Sequence, residues 1–334
     1  MFLLMNPPLL DIKNLTKQYG SLTAVEDLSL QVPRGEIFAL LGPNGAGKTT
    51  MISCVCGLIQ QFSGSIRVAG LDVRRQYRLT RQVVGVVPQE LNFDAFCNAR
   101  QTLLYQGGMF GRRDAARRAD ELLEVFDLSS KAEENTRRLS GGMKRRLMVC
   151  KALMHQPALL FLDEPTAGVD VELREELWQY VRSLREEGMT IVLTTHYLEE
   201  AEELADRIGI LNKGRLILVE DTQKLLNRYG SRWLQIRCRQ RIPQSLVREL
   251  AALDPQSIDE YTLRLTYLDS GQDPTPVEVI LDKTHQFGLS VVSAEGGGSS
   301  LETIFRQILQ DDNQSPSNVQ TPLTQNEEPT TVNP

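Results

Sequence analysis

Long apolar runs are what this sequence of 334 residues most clearly lacks. Its longest ones, such as residues 158–162, reach about a quarter of the roughly 20 residues that a membrane-spanning helix needs. Residues 1–5 are apolar, but they lack a basic leader and are followed by Pro7 and Pro8, which is unlike a secretory signal. We therefore expect no membrane-spanning segment, no secretory signal and a protein that stays in the cytosol.

Cysteine is also scarce. The five cysteines, at positions 54, 56, 97, 150 and 238, form no CxxC pair, and their odd number and irregular spacing fit neither a zinc site nor a disulfide framework. Residence in a reducing compartment is the simplest interpretation of this pattern.

The excess of one charge sign is small. The chain has 37 Lys and Arg against 43 Asp and Glu, for a net charge of −6, and four of the excess acidic residues lie beyond residue 310. The folded body is therefore close to neutral, which argues against generic nucleic-acid binding. With 41% hydrophobic residues, the chain has the composition of an ordinary globular protein, with a main domain and a smaller one.

Three regions follow from the patterns along the chain. Strand-like and helix-like runs alternate from about residue 9 to 226, which favours an α/β sheet. The apolar runs 37–41, 83–87, 159–162 and 191–193 do not alternate and predict strands buried on both faces, as in a parallel sheet. The expected units are a first domain at 1–228 with a helical insertion at about 92–155, an α+β unit at 229–310, and a proline-rich, disordered tail at 311–334.

A phosphate-binding loop is predicted between the first of these strands and a helix from Lys48 to about Cys56. Residues 42–50 read GPNGAGKTT and match G-x-x-x-x-G-K-[ST]. Glycines let backbone N–H groups surround phosphates, and the helix N-terminus favours negative charge. Lys48 is placed to bridge the β- and γ-phosphates and Thr49 to ligate Mg²⁺. The alternative is a glycine-rich turn with a solvated lysine.

Two carboxylates and a Ser-Gly-Gly add to this loop. Asp163 ends the apolar strand ALLFL, where it is placed to hold Mg²⁺, and Glu164 is placed to accept a proton from water. The alternative for this pair is capping of the next helix. Ser140 and the two glycines after it open a helical run and form a second anion site.

With these motifs in place, the sequence resembles the nucleotide-binding subunit of an ABC transporter over residues 9–225. The segments RRLSGGMKRRL, DEPTAGVD and THYLEEAE resemble the sequences of the bacterial type-two exporters, although Met143 and Val169 replace a more usual Gln and Leu. The matching motifs are GPNGAGKTT as Walker A, Gln89 as the Q-loop, LSGGM as the signature, LLFLDEP as Walker B, Gly168-Val169-Asp170 as the D-loop and His196 as the switch histidine.

The resemblance implies an α/β fold: a P-loop NTPase (ABC ATPase) domain with a helical insertion and an antiparallel β subdomain, followed by a small α+β C-terminal domain. It implies ATP and Mg²⁺ as cofactors, with ATP hydrolysis as the activity. Tyr19 is implied to stack on adenine, a contact that tolerates GTP as well, whereas without the resemblance it reads as a core residue at a strand end. The implied catalytic residues are Glu164, His196, Gln89 and Lys48, and the implied metal ligands are Thr49, Gln89 and Asp163. The implied nucleotide-binding residues are Tyr19, Gly42, Pro43, Asn44, Gly45, Ala46, Gly47, Lys48, Thr49, Thr50, Ser140, Gly141, Gly142 and Asp170.

The resemblance also implies partners. Ser140 and the glycine amides of one subunit meet the γ-phosphate held by Lys48 of another, in a homodimer or a heterodimer with a paralogous ATPase subunit. A separate transmembrane permease is implied, with the chain peripheral on the cytoplasmic face of the membrane and no nucleic acid bound. ATP-driven closure of the dimer would then energise export.

Several other interpretations remain open at this stage. A non-transport ABC ATPase acting on DNA or ribosomes is the main rival, but the long coiled coils or the second ATPase domain of those classes are absent. An assignment as a P-loop kinase or GTPase would not account for the LSGG segment.

His155 and His285 are interpreted as ordinary helix-surface residues. The insertion's arginines, among them Arg112, Arg117 and Arg118, form either a surface for acidic partners or lipid head groups, or a solvated helix face with intrahelical ion pairs.

Overall fold

The computed structural model describes residues 7–90, 92–167, 171–229, 231–268, 276–298 and 301–314. Within these residues the chain forms three β-sheets. The first two share an N-terminal α/β body, and the third belongs to a C-terminal unit.

The first sheet is antiparallel and has the strand order β2–β1–β4–β5. Its inner face is apolar because Leu10, Ile12 and Leu15 of β1 are buried against the central sheet's cluster. This sheet is the predicted antiparallel β subdomain. Its strands are β1 (Leu10–Tyr19), β2 (Leu22–Val32), β4 (Ser63–Val68) and β5 (Leu71–Asp72).

The central sheet has the order β10–β9–β3–β8–β7–β6, and all its strands but β10 run parallel. The four apolar runs predicted as buried strands coincide with β3, β6, β7 and β8, and this part of the prediction is confirmed. Parallel strands end at the same edge, so the residues that follow β3, β7 and β8 meet there. The strands are β3 (Ile37–Leu41), β6 (Val84–Val87), β7 (Leu159–Asp163), β8 (Thr190–Thr195), β9 (Arg207–Asn212) and β10 (Arg215–Asp221).

Helices cover the central sheet and fill the predicted insertion. A capping box at Asn98 and Gln101 starts α3, and the spacing of Ala119, Leu122 and Leu123 buries one face of α4. The helices of the insertion are α3 (Ala99–Met109), α4 (Ala115–Val125) and α5 (Gly141–Leu153). Those packed on the sheet are α1 (Lys48–Val55), α2 (Tyr77–Val83), α6 (Val171–Glu186), α7 (Leu198–Leu204) and α8 (Thr222–Tyr229).

The C-terminal unit is an antiparallel sheet of order β12–β13–β11–β14 with two helices and a core of its own. Leu234 and Ile236 of β11 face Leu263 and Leu265 of β13, and Ile280 of the second helix covers them. The elements are β11 (Ser231–Cys238), α9 (Gln244–Glu249), β12 (Gln256–Ser257), β13 (Thr262–Leu268), α10 (Pro276–Gln286) and β14 (Val291–Gly298).

The last helix, α11 (Leu301–Gln314), differs from the prediction. The C-terminal unit was predicted to end at residue 310, but this helix continues to Gln314 and packs against the first domain. Leu301, Ile304 and Ile308 are buried in the core shared with α7 and α8, and Asn212 donates a hydrogen bond of 2.8 Å to Asp312. Residues 311–314 of the predicted tail are therefore helical, and Asp312 has a polar partner in the first domain. Residues 315–334 lie outside the described part.

The described helices are too short or too polar to cross a lipid bilayer.

Candidate functional site

The predicted phosphate loop connects β3 to α1, and its glycines are sterically required. Gly47 has φ +107°, and a Cβ on it would lie 2.4 Å from the carbonyl oxygen of Ala24. A Cβ on Gly42 would lie 2.4 Å from the carbonyl oxygen of Leu211. Gly47 caps α1 without a side chain, so the N–H groups of the first turn point into the loop. The loop therefore has the backbone that a bound phosphate needs.

Lys48 is folded over this loop. Its Nζ donates hydrogen bonds to the carbonyl oxygens of Gly42, at 2.7 Å, and Pro43, at 3.3 Å. It lies 3.8 Å from Glu164 Oε1. Burial lowers the pKa of Lys48, while the carboxylates of Glu164 and Asp163 act in the opposite direction. The result is a buried cation between the loop and the end of β7.

Thr49 and Asp163, the two side chains predicted to hold Mg²⁺ beside the phosphate loop, lie next to each other. The hydroxyl of Thr49 donates a 3.0 Å hydrogen bond to Asp163 Oδ2, and the hydroxyl of Thr194 at the end of β8 donates to Oδ1. A hydroxyl beside a carboxylate is the hard-oxygen set that Mg²⁺ prefers when phosphate oxygens complete its shell. The residues present thus fit the ion. Thr194 was not predicted, because only the pairing of β7 with β8 brings it to Asp163.

Glu164 is the residue on which the site converges. Its backbone has φ +48°, and its N–H donates to the carbonyl oxygen of Thr194 at 3.0 Å. Its buried carboxylate accepts a 3.0 Å hydrogen bond from Gln89 Nε2 and lies 3.4 Å from His196 Nδ1. With Lys48, the structure therefore brings together all four residues proposed as catalytic. A turn, not a helix N-terminus, follows Glu164, so the capping alternative does not describe it.

The signature lies at the start of α5. Ser140 is the N-cap residue, and its side chain accepts a hydrogen bond from the Met143 backbone N–H. Ser140 and Gly141 are exposed, and a Cβ on Gly141 would meet nothing within 4 Å. Among the described residues, no hydrogen bond or ion pair connects this helix start to the phosphate loop. The two anion sites of one chain are thus separate.

Tyr19 ends β1, and 47% of it is exposed. The ammonium of Lys17 lies 4.6 Å from the centre of its ring, which places a cation on one face of the ring. An exposed ring is not the strand-end core residue of the alternative interpretation, but adenine stacking stays a prediction. Asp170, with Gly168 and Val169, lies outside the described residues.

The arginines of the helical insertion form ion pairs within the chain. Arg117 is largely exposed and pairs with Asp114 and Glu121, as the solvated-face interpretation expects. Arg112, which precedes α4, and Arg118 also form ion pairs with these acids, but their side chains are mostly buried.

His155 was predicted on a helix surface, which is wrong. Its ring stacks on Phe110 with the centroids 3.9 Å apart, and Nε2 lies 3.0 Å from the carbonyl oxygen of Val84. Burial lowers the pKa of this histidine. Its position just past the end of α5, where the chain turns toward β7, brings it inside.

Comparison with known proteins agrees with this geometry. The ABC transporter family model matches residues 25–167. The chain is 34% identical over 305 residues to the linearmycin resistance ATP-binding protein LnrL of Bacillus subtilis, covering 90% of this chain and 98% of that protein. It is 45% identical over 210 residues to the Nod factor export ATP-binding protein I of Paraburkholderia xenovorans, covering 62% of this chain and 69% of that protein. It is also 45% identical to the daunorubicin resistance ATP-binding protein DrrA3 of Streptomyces coeruleorubidus, covering 60% and 64%.

Solved structures give the same result. The fold matches the ATP-binding subunit of an ABC transporter with a TM-score of 0.61 and 28% identity, covering 66% of this chain and 93% of that one. It matches a dimeric ATP-binding cassette in a post-hydrolysis state with ADP and Pi with a TM-score of 0.59 and 26% identity, covering 64% and 98%. LnrL aligns with this chain over nearly its whole length, and this chain contains the phosphate loop described above. The chain therefore belongs to the ABC transporter family, as one of its ATP-hydrolysing ATP-binding subunits.

Proposed function

We propose that this chain is the ATPase subunit of an ABC exporter and energises a separate membrane-spanning permease from the cytoplasmic face of the membrane. The observation that carries the catalytic part is the convergence of Lys48, Gln89 and His196 on the carboxylate of Glu164. The relatives named for drug resistance or for Nod factor export support the exporter assignment. The rival role on DNA or ribosomes has no support among these relatives.

In this proposal the loop of residues 42–47 and the amides of α1 hold the phosphates of ATP, and Tyr19 holds the adenine. Thr49 and Asp163 hold Mg²⁺, and Gln89 contacts its shell. The ion neutralises charge on the β- and γ-phosphates when bound. The buried position of Lys48 keeps its ammonium next to the γ-phosphate end of the loop, where fixed positive charge is most effective.

Glu164 is the proposed base. It accepts a proton from the water that attacks the γ-phosphate, and the Gln89 amide and His196 ring hold its carboxylate in place. His196 is 40% exposed at the side chain, so it is able to reach the nucleotide as well as Glu164.

Two copies are proposed to enclose each nucleotide. The exposed Ser140 and Gly141 at the start of α5 lie apart from their own phosphate loop, so they serve the ATP held by another subunit. A homodimer and a heterodimer with a paralogous ATPase both satisfy this requirement. Hydrolysis splits the group that bridges the two subunits, so the closed state loses its bridge and the pair opens.

The proposal is tested with two variants of the full chain. Glu164→Gln is expected to bind ATP with Mg²⁺ as the wild type does but to hydrolyse it about 10²- to 10⁴-fold more slowly, the range for loss of a general base. Lys48→Ala is expected to lose most ATP affinity. Steady-state phosphate release and equilibrium ATP binding are the measurements. Rapid turnover by Glu164→Gln would contradict the base assignment, and unchanged ATP binding by Lys48→Ala would contradict the phosphate-loop assignment.

A further inference from the structure

Glu200 is a buried acid to which none of the motifs assigns a role. It lies on α7, four residues after His196, and is 0% exposed. Neither carboxylate oxygen has a hydrogen-bond partner of ordinary geometry. Burial of such a group without partners is costly, so a buried acid in this position calls for an explanation.

The groups that face Glu200 come from two segments of the catalytic site and from α6. Burial raises the pKa of Glu200, and the hydroxyls of Thr195 and Thr166 and the indole N–H of Trp178 oppose this effect. Thr195 immediately precedes His196 in the chain. Thr166 lies in the turn that follows Glu164. The hydroxyl of Thr166 and the indole N–H likewise lack other partners, so these donors have no competing acceptor.

Arg145 extends this cluster to the Q-loop. It lies on α5, five residues after the signature serine, and is 5% exposed. Its Nη1 donates hydrogen bonds to the carbonyl oxygens of Pro88, at 3.2 Å, and Gln89, at 3.3 Å. Burial lowers the pKa of Arg145, and the carboxyl group of Glu200 opposes this effect. Arg174 of α6 likewise opposes the rise that burial causes in the pKa of Glu200.

We propose that Glu200 and Arg145 are positioning residues for hydrolysis. Arg145 fixes the backbone that presents Gln89, and Glu200 fixes the two segments that present Glu164 and His196. This inference rests on the proposed function, since it concerns the residues that hold the proposed catalytic residues in place. Neither residue contacts the phosphate loop in the described structure, so both act through the residues they hold.

The physical reason is the precision that the site requires. Glu164 needs Gln89 and His196 within hydrogen-bond reach, and these residues follow three different strands, β7, β6 and β8. The buried carboxyl group of Glu200 faces donors from two of these segments, and Arg145 donates hydrogen bonds to the third, so the two residues together set the spacing of all three. Misplacement of a reacting group by about 1 Å can cost about 10²-fold in rate.

The test compares Glu200→Gln with Glu203→Gln, a matched change on the same helix. Glu203 is exposed and pairs with Arg182 on the surface. For Glu200→Gln we expect kcat to fall by about tenfold to a hundredfold, the effect of a misplaced group, while KM for ATP changes by less than about threefold. Glu203→Gln is expected to keep the wild-type kcat. The melting temperature and the ATP dissociation constant are measured in parallel.

A second pair of variants tests the cation. Arg145→Met keeps the unbranched length but removes the donors, and Arg182→Met removes a surface arginine of α6. We expect Arg145→Met to lower kcat with ATP affinity retained, and Arg182→Met to change neither. If Glu200→Gln or Arg145→Met folds and turns over at the wild-type rate, the proposal is wrong. It is also wrong if kcat, ATP affinity and melting temperature fall together, because that is the signature of a general packing role. Absence of ATPase activity in the wild-type chain would instead contradict the proposed function.

Discussion

At the scale of the residue, two neighbouring carboxylates show how one backbone angle separates two roles. Asp163 ends β7 and accepts hydrogen bonds from two threonine hydroxyls. Glu164 has φ +48°, a left-handed conformation that costs a non-glycine residue of order 1–3 kcal/mol. The turn directs its carboxylate toward Lys48 and His196 instead of along the strand. The strain is therefore located at the residue proposed to be the base.

A glycine of the phosphate loop gives a prediction at this scale. Gly47→Ala introduces a Cβ 2.4 Å from the carbonyl oxygen of Ala24 at a backbone angle of φ +107°. Left-handed backbone alone costs an L-residue roughly 1–2 kcal/mol, and the close contact adds to it. We expect the free energy of unfolding to fall by at least about 1 kcal/mol and ATP binding to be lost. Urea denaturation and equilibrium ATP binding measure the two effects.

The matched control is Gly108→Ala on α3. A Cβ there has nothing within 4 Å, and the backbone is helical. Alanine in a helix is more favourable than glycine by up to about 1 kcal/mol, so stability is expected to stay level or rise. Equal losses in the two variants would show that glycine replacement in general, and not the geometry of the loop, is responsible.

At the scale of the element, the sequence was sufficient where one pattern had one interpretation. Uninterrupted apolar runs predicted β3, β7 and β8, because strands buried on both faces tolerate few polar residues. The loop glycines and Lys48 were also predictable, because few sequence patterns form a phosphate-binding loop. Their spacing along the chain encodes the local geometry directly.

Contacts between elements could not be predicted in this way. Thr194 and Glu200 were not singled out, because a threonine at a strand end and an acid on a helix are ordinary until the sheet order is known. The sheet pairing brings Thr194 to Asp163, and the packing of α7 buries Glu200. The extent of α11 was missed for a similar reason: its buried face packs against α7 and α8, which lie roughly 70 to 100 residues earlier in the sequence.

Helix α11 gives a prediction at this scale. Ending the chain at residue 300 removes Leu301, Ile304 and Ile308 from the main core, where they are 0%, 0% and 8% exposed. Full burial of such a side chain contributes about 1.5–3 kcal/mol. Since 1 kcal/mol shifts the melting temperature of a 150–250-residue domain by about 2–4 °C, we expect the melting temperature to fall by about 10 °C or more in calorimetry.

Ending the chain at residue 314 is the control. This variant keeps the whole helix and its hydrogen bond from Asn212 to Asp312. Its melting temperature is expected to match that of the full chain, since the segment removed has the composition of a disordered tail. A loss in this control as large as in the shorter variant would show that the stabilising contacts lie beyond α11.

At the scale of the whole molecule, the proposed dimer rests on the separation of the two anion sites. Lys48 and the loop before it lie at one site, and Ser140 at the start of α5 lies at the other, with no described polar contact between them. If each nucleotide needs both, two subunits must exchange them. Every site in the pair then combines Lys48 of one subunit with Ser140 of its partner.

This reciprocity predicts complementation between two defective chains, each also carrying Glu164→Gln to block turnover. Lys48→Ala removes the grip on ATP in one chain. Ser140→Asp in the other keeps a good helix N-cap, so α5 still forms, but its carboxylate repels the γ-phosphate. Either chain alone is expected to stay monomeric with saturating ATP and Mg²⁺. In a mixed dimer both defects fall in one of the two sites, which leaves the other site intact.

We therefore expect the mixture to form dimers that retain one ATP each, measured by light scattering on a size-exclusion column and by bound radiolabelled nucleotide. Two chains that each lack one group recover a complete site only if the groups act across the interface. If Lys48 and Ser140 of the same subunit formed one site, the mixture would stay as monomeric as its components, because neither chain could supply the group that the other lacks. A mixture that retains two ATP per dimer would show that one of the two groups is dispensable.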